Sequence, residues 1–422
     1  MSAVDSLLDP VPVPKIVKVR QIFERPKVEN VEEEVARKLR DSGALNAVKP
    51  GWKVAITGGS RGISNMPLVL RTVAEMVKNA GGEPFVFPAM GSHGGASAEG
   101  QRHVLENLGI TEDRLGVPIR ATMETVELGL SENGRPVYLD KYANEADAIV
   151  VVNRIKPHVA FRGPYESGIM KMITIGMGKQ KGADYAHMLG FGKMAENVPS
   201  IAKVVIAKKN ILCAVGLLEN AFHETAEIVV MKASEIESRE PLLLKKAWTL
   251  YPKLYFDKLD VLVIDEIGKD ISGTGFDTNV VGRYHTPFAS GGPEITRAVV
   301  LDITDRSGGN ANGLGIVDFT TQRAYRKFDF EQTYPNSLTS TVPLSVKIPM
   351  VLKNDRQAIQ AAIKTSNVLD RTKITLARIK NTTALGEIEA SESLLDYIRE
   401  HPKLEAEGGA REFEFDQSGN LF

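Results

Sequence analysis

The chain of 422 residues has a single cysteine, Cys213. Intrachain disulfides, cysteine-rich zinc sites and iron–sulfur clusters held by several cysteines are thereby excluded. Any metal must rest on His, Asp, Glu or an organic ligand. An excess of charge of one sign is also missing: 52 Lys plus Arg stand against 53 Asp plus Glu, a formal net charge of -1. The electrostatic footprint of a dedicated nucleic-acid binder is therefore absent, and no nucleic-acid partner is expected. No apolar run approaches the roughly 18 residues that a membrane span needs. The N-terminal stretch has no basic region followed by an apolar core, so no signal peptide is read and a soluble, cytoplasmic protein with no membrane partner is expected. There is no repeat of fixed period and no low-complexity tract. Against these absences stand 43% hydrophobic and 25% charged residues, an ordinary globular composition. The length exceeds what one compact core serves, so two domains are expected.

The first third of the chain alternates strand-like and helix-like segments. Lys53 to Thr57 (KVAIT) reads as a buried strand, followed by a turn at Gly58-Gly59-Ser60-Arg61-Gly62. Pro67 suits a first helical position. Leu70, Val73, Met76 and Val77 then recur at helical spacing, Gly81-Gly82 ends the helix, and Pro84 to Pro88 is the next strand. Such a strand–helix–strand unit implies a parallel sheet with a right-handed crossover. Asp147 to Val152 runs apolar after one acidic residue, as a buried parallel strand does. The pattern restarts at Val261-Leu262-Val263-Ile264, which places a boundary at about residue 257. Ala298 to Ile303 and Leu314 to Asp318 read as strands, and Asn354 caps a helix through Lys364. Beyond about Glu405 the tail is polar and is expected to be loosely ordered. The expected architecture is α/β: two α/β domains, 1–257 and 258–422, with mainly parallel sheets and a cofactor and substrate cleft between them. The first carries the histidine and lysine motifs, and the second closes the cleft.

Of seven histidines, His103 and His401 read as surface residues, while His223 and His285 are ambiguous. His93 sits among glycines just after a predicted strand, where open α/β sheets bind ligands; a solvated turn is the alternative. His158 ends a strand that also delivers Arg154 and Lys156, an anion-friendly mouth. The segment Phe161 to Leu189 mixes five glycines and four methionines with Arg162, Lys171, Lys179 and Lys181, a blend that suits neither a plain helix nor a plain strand. Lys171, between two methionines, is either snorkelling or desolvated and reactive. The glycines match neither the dinucleotide fingerprint nor the P-loop spacing. His187 closes the segment. Spacing alone does not make His93, His158 and His187 a metal site. A pair of histidines does suit a reaction needing a base and an acid on opposite faces of one carbon.

Gly91-Ser92-His93, Lys156-Pro157-His158, the Gly-rich stretch with Lys171, and His187 together resemble the nickel-pincer-nucleotide dependent lactate racemase family of 2-hydroxyacid racemases and epimerases. The likeness runs over roughly residues 50 to 200. It implies an isomerase whose cofactor is a pyridinium-3-thioamide-5-thiocarboxylic acid mononucleotide gripping one nickel ion, with cofactor biosynthesis enzymes as partners. By that resemblance His187 is the nickel ligand and Lys171 the lysine that can be linked to the cofactor. His93 and His158 are the acid/base pair for reversible hydride transfer at carbon 2 of a small 2-hydroxy acid. Arg61, with Gly58 and Ser60 in the same loop, matches a family arginine near the substrate. The sulfurs belong to the cofactor, so one cysteine suffices.

In the second half, the loop from Asp265 through Lys269 and Asp270 to Arg283 follows a buried strand, and Lys269 and Arg283 are candidate anion contacts. It lacks the Gln and Lys pattern of lactate racemase, which points to a substrate other than lactate. Two alternatives stay open on the residues alone. One is a non-catalytic protein that binds an anion or phosphometabolite. The other is a metal-dependent hydrolase or ligase using histidines with Asp265, Glu266 or Asp270.

Overall fold

A computed structural model of the chain describes residues 2–422. Its contacts divide it into two compact units, Arg25–Tyr251, and Met1–Glu24 together with Pro252–Phe422. The division differs from a cut at residue 257 because the strand Ile16–Gln21 pairs antiparallel with Glu387–Ser391 and Leu404–Arg411. Those partners lie nearly 400 residues away, beyond the reach of any local pattern.

In the Arg25–Tyr251 unit, five strands form one sheet in the order Glu83–Pro88, Lys53–Gly58, Ala148–Arg154, Ile211–Glu219, Thr225–Lys232. The first four run parallel and the fifth antiparallel. Val54, Ile56, Val150 and Val152 are fully buried, as expected where helices cover a parallel sheet. Each such side chain contributes about 1.5–3 kcal/mol of transfer free energy. Met66–Asn79 forms the crossover helix with Pro67 in its first turn. Its Leu70, Val73 and Val77 pack into the same core as Val54 and Val150. The helix Ala98–Asn107 begins at Ser97, whose side chain accepts the Gly100 N–H.

The second unit holds an eight-stranded mixed sheet in the order Met350–Leu352, Phe319–Thr321, Glu294–Ile303, Lys258–Ile267, Leu376–Ile379, Glu387–Ser391, Ile16–Gln21, Leu404–Arg411. The first five strands are parallel and the last three antiparallel. Asn354 caps the helix Asp355–Thr365 by accepting the Gln357 N–H at 3.0 Å.

Two sequence expectations are corrected here. Leu314 to Asp318 is not a strand: Leu314–Ile316 is a single 3₁₀ turn, and the strand is Phe319–Thr321. Gly313, at φ +100°, turns the chain, and Leu344 O would lie 2.1 Å from a Cβ on Gly315, so the segment folds tightly between neighbours. The polar tail is also ordered, since Leu404–Arg411 is the outer strand of the sheet. Leu404 and Phe413 are buried there, and Leu421 N–H donates to Asp355 at 2.8 Å. Ending the chain at Lys403 should therefore destabilise it by about 3–6 kcal/mol from those two side chains alone. A denaturant titration of the truncated chain, with an unchanged midpoint as the contrary result, checks this.

Candidate active site

In an open α/β sheet, ligands bind beyond the carboxyl ends of the strands where the strand order reverses. That point lies between Lys53–Gly58, whose crossover runs to Glu83–Pro88 on one side, and Ala148–Arg154 on the other. Arg61 follows the first strand and Arg154 closes the second. Arg154 forms an ion pair with the buried Glu219, at the end of the next strand. Burial pushes the Glu219 carboxyl up, but Arg154, His223 and the Ser64 N–H outweigh it and hold it at about 2. Arg61 is half-buried and has no hydrogen bond or ion pair among the described residues. Burial and the neighbouring Arg154 both depress its pKa, which is the situation of a cation set to receive an anion.

The loop after Arg154 is pinned at its base by paired backbone bonds between Lys156 and Ser167. Inside it, the buried Glu166 accepts the His158 N–H at 2.6 Å and lies 3.6 Å from Arg162. Burial raises the Glu166 carboxyl despite those partners. The His158 ring is enclosed by Phe161 and Phe191, with centroids 4.5 and 5.9 Å away. Its Nδ1 accepts the Ala160 N–H at 3.1 Å, so in the neutral ring the proton sits on Nε2. That nitrogen lies 2.6 Å from Lys171 Nζ. A ring N–H can donate to an amine only if the amine keeps its lone pair. Burial, then Arg61, then Lys156 bring the Lys171 pKa down to about 7, which supplies that lone pair near neutrality.

Lys171 ends the short turn Ile169–Lys171, and Met172–Gly176 continues as one π-helical turn, a distortion that recurs at functional sites. Glu240 holds the start of this turn by accepting the Met170 N–H at 2.9 Å; burial raises its carboxyl to about 7 against that pull. A Cβ at position 168 would lie 1.9 Å from Glu240 Oε1, so any larger residue there would displace the Glu240 carboxylate from the Met170 N–H. The helix Lys179–His187 follows. His187 Nδ1 lies 2.8 Å from Ala183 O. A carbonyl has no proton to give, so Nδ1 carries the hydrogen and Nε2 the lone pair. Burial lowers the ring's pKa to about 4, with Lys171 adding to the fall against the Ala183 bond. His187 is thus a neutral imidazole with one nitrogen fixed, the state in which histidine binds metal.

His93 is arranged in the same way, with Nδ1 donating to Met90 O at 2.7 Å. Its loop lies on the His187 segment: the Gly91 N–H donates to Gly176 O at 3.3 Å, and a Cβ on Gly91 would meet Ile175 at 3.3 Å and Ala183 at 3.5 Å. Gly91 also has φ +59°. Among the described residues, no group of three or more His, Cys, Asp or Glu side chains converges to hold a metal.

One unit therefore brings together Arg61, Arg154, Lys156, His158, Lys171 and His187, and the His93 loop packs on the π-helical turn and the helix that follow Lys171. Ser60 lies in the same half-exposed loop as Arg61. Gly58 closes the strand with its open side against Leu105 and Val86, and its carbonyl accepts the Ala89 N–H. The Arg283 guanidinium donates to Ile295 O and Thr296 O and pairs with Asp318 at 2.8 Å. Lys269 Nζ donates to Gly273 O at 2.8 Å within its own loop. Asp265 is bound by Arg378, Glu266 by Asn381 and Asp270 by Thr304. Lys269, Arg283 and these acids all belong to the other unit. Sequence reasoning missed the part played by Lys179, which is fully buried at φ +58° with its amine on Pro88 O and Gln101. A lysine amid glycines gives no local sign of burial.

Comparison with known proteins agrees with the fold. The family model described as "Domain of unknown function (DUF362)" matches residues 47–242, the stretch that holds every residue of the cluster. The chain is distantly similar to the solved lactate racemase apoprotein from Thermoanaerobacterium thermosaccharolyticum. The TM-score is 0.52 at 13% identity, covering 88% of this chain and 99% of that one. The two share a two-domain α/β fold. No curated protein matches the sequence, and no helix among the described residues is long and apolar enough to cross a membrane.

Proposed function

We propose that the protein is a racemase or epimerase of a small 2-hydroxy acid other than lactate, working with a nickel pincer nucleotide. The observation that carries the reading is the convergence of a fixed, neutral His187, a lysine of lowered pKa and an unpaired arginine on one sheet end. The cofactor, when bound, supplies an acceptor and donor of hydride at carbon 2. His187 Nε2 would hold the nickel, and Lys171 is the amine placed to link to the organic part. Arg61 and Lys156 bind the substrate carboxylate, a guanidinium being suited to two parallel hydrogen bonds. His93 and His158 take the hydroxyl proton and return it, one for each enantiomer. For His158 to act as a base, its Nε2 must part from Lys171 and give its proton up. Phe161 and Phe191 exclude water from that ring and keep the exchange within the site.

The test is to produce the chain together with the cofactor-making enzymes, then measure nickel, visible spectrum and intact mass. About one nickel per chain with a new chromophore is expected. Single enantiomers of 2-hydroxy acids deuterated at carbon 2 should then racemise with the deuterium kept, because hydride transfer does not exchange with water. Folded protein without nickel or chromophore, beside a working positive control, would refute the reading. The same cation cluster would then favour an anion-binding protein without chemistry.

A further inference from the structure

We infer that Lys179 and Gln101 are positioning residues, a buried pair that clamps the His93 loop to the start of the His187 helix and fixes the tautomer of the His93 ring. The role in catalysis rests on the proposed reading of His93, whereas the clamp itself does not. Lys179 opens the helix Lys179–His187. Its amine donates to Pro88 O at 2.7 Å and to Gln101 Oε1, and lies 3.5 Å from Asp140 Oδ2. Lys179, Gln101 and Asp140 are all without exposure. The Gln101 amide then uses both its hydrogens, one on Gly91 O at 2.8 Å and one on His93 O at 3.2 Å. A cation on the amide oxygen polarises the amide and strengthens the two N–H donors opposite it.

The carbonyls of Pro88, Gly91 and His93 are thus held by one charge-fed relay. Between them lies Met90, whose carbonyl accepts the His93 Nδ1–H. If the loop shifts, that acceptor moves and the ring loses its fixed proton. The backbone supports the assignment. Lys179 sits at φ +58°, where glycine is the easy choice, and it also buries a charge. Its contacts must outweigh both costs.

The experiment uses the metal-free chain with nitrogen-15 labelled histidine, and His93→Gln assigns the His93 signals. Gln101→Glu keeps the volume and the partner of Lys179 but removes both N–H donors; Gln101→Met removes both donors without adding charge. Whichever of the two unfolds cooperatively decides the matter. The wild-type ring should show a protonated Nδ1. In the variant, the Nδ1 and Nε2 signals of His93 should move toward tautomeric averaging, while those of His103 and His401 stay in place. His93 signals identical to wild type in a folded variant would overturn the clamp. In cofactor-loaded protein, the same variant should lose about 10–100-fold in kcat, with a shifted pH profile and KM little changed. The nuclear resonance result stands whether or not nickel is bound, so failure of the clamp and failure of the proposed function are told apart.

Discussion

His93→Ala and His158→Ala should each lower the rate of racemisation by about 10²–10⁴-fold, the usual worth of a positioned acid or base. The two losses should also differ in kind. Each ring serves one enantiomer, so each variant should still turn one enantiomer into the bound 2-oxo acid in a single turnover and fail on the other. Mixing loaded variant with one equivalent of each enantiomer and analysing the acid-quenched sample would show this. His103→Ala, on an exposed helical position, is the control and should be silent. Full activity in either active-site variant would remove the pair from its role. His158→Ala carries a second expectation, because the ring is buried against Phe161 and Phe191. Its removal leaves a cavity and an unpartnered Lys171, so some loss of stability should accompany the loss of rate.

Lys171 should react as an amine near neutral pH. An ordinary lysine titrates near 10.5, and this one is brought to about 7 by burial, Arg61 and Lys156. At pH 7.5 about three quarters of Lys171 is neutral, against about a thousandth of a surface lysine. The sign follows directly: modification should slow as pH falls through 7 and be flat above 8, whereas surface lysines keep accelerating toward 10.5. Brief acetylation of the metal-free chain at a series of pH values, followed by peptide mapping, reads the midpoint independently of how easily reagent reaches the site. Arg61→Gln removes a neighbouring positive charge and should move that midpoint upward. A Lys171 midpoint with the surface lysines would refute the assignment.

The parts of this protein that local sequence specifies are those whose signals are local. Buried parallel strands read as apolar runs at Lys53–Gly58 and Ala148–Arg154, the capping rule placed the helix after Asn354, and the proline rule placed the helix that begins beside Pro67. Charge balance and one cysteine narrowed the chemistry before any shape was known. The residue types of the candidate site were legible as well, since a strand end that delivers Arg, Lys and His in succession is visible in one line of text.

Other features depend on neighbours far apart in the chain, and only the tertiary structure decided them. The strand Leu404–Arg411 looked like a polar tail because its order comes from pairing with Ile16–Gln21. Arg283 reads as an anion contact from its place in a loop, whereas its guanidinium is held by Ile295 O and Thr296 O of the strand Glu294–Ile303 and by Asp318. The lowered pKa of Lys171 arises from burial first and then from Arg61, more than a hundred residues earlier. Sequence fixes which side chains can carry charge or a lone pair. Which of them are desolvated, paired or left facing a site is settled by packing, because an interior of low dielectric makes each such choice cost several kcal/mol.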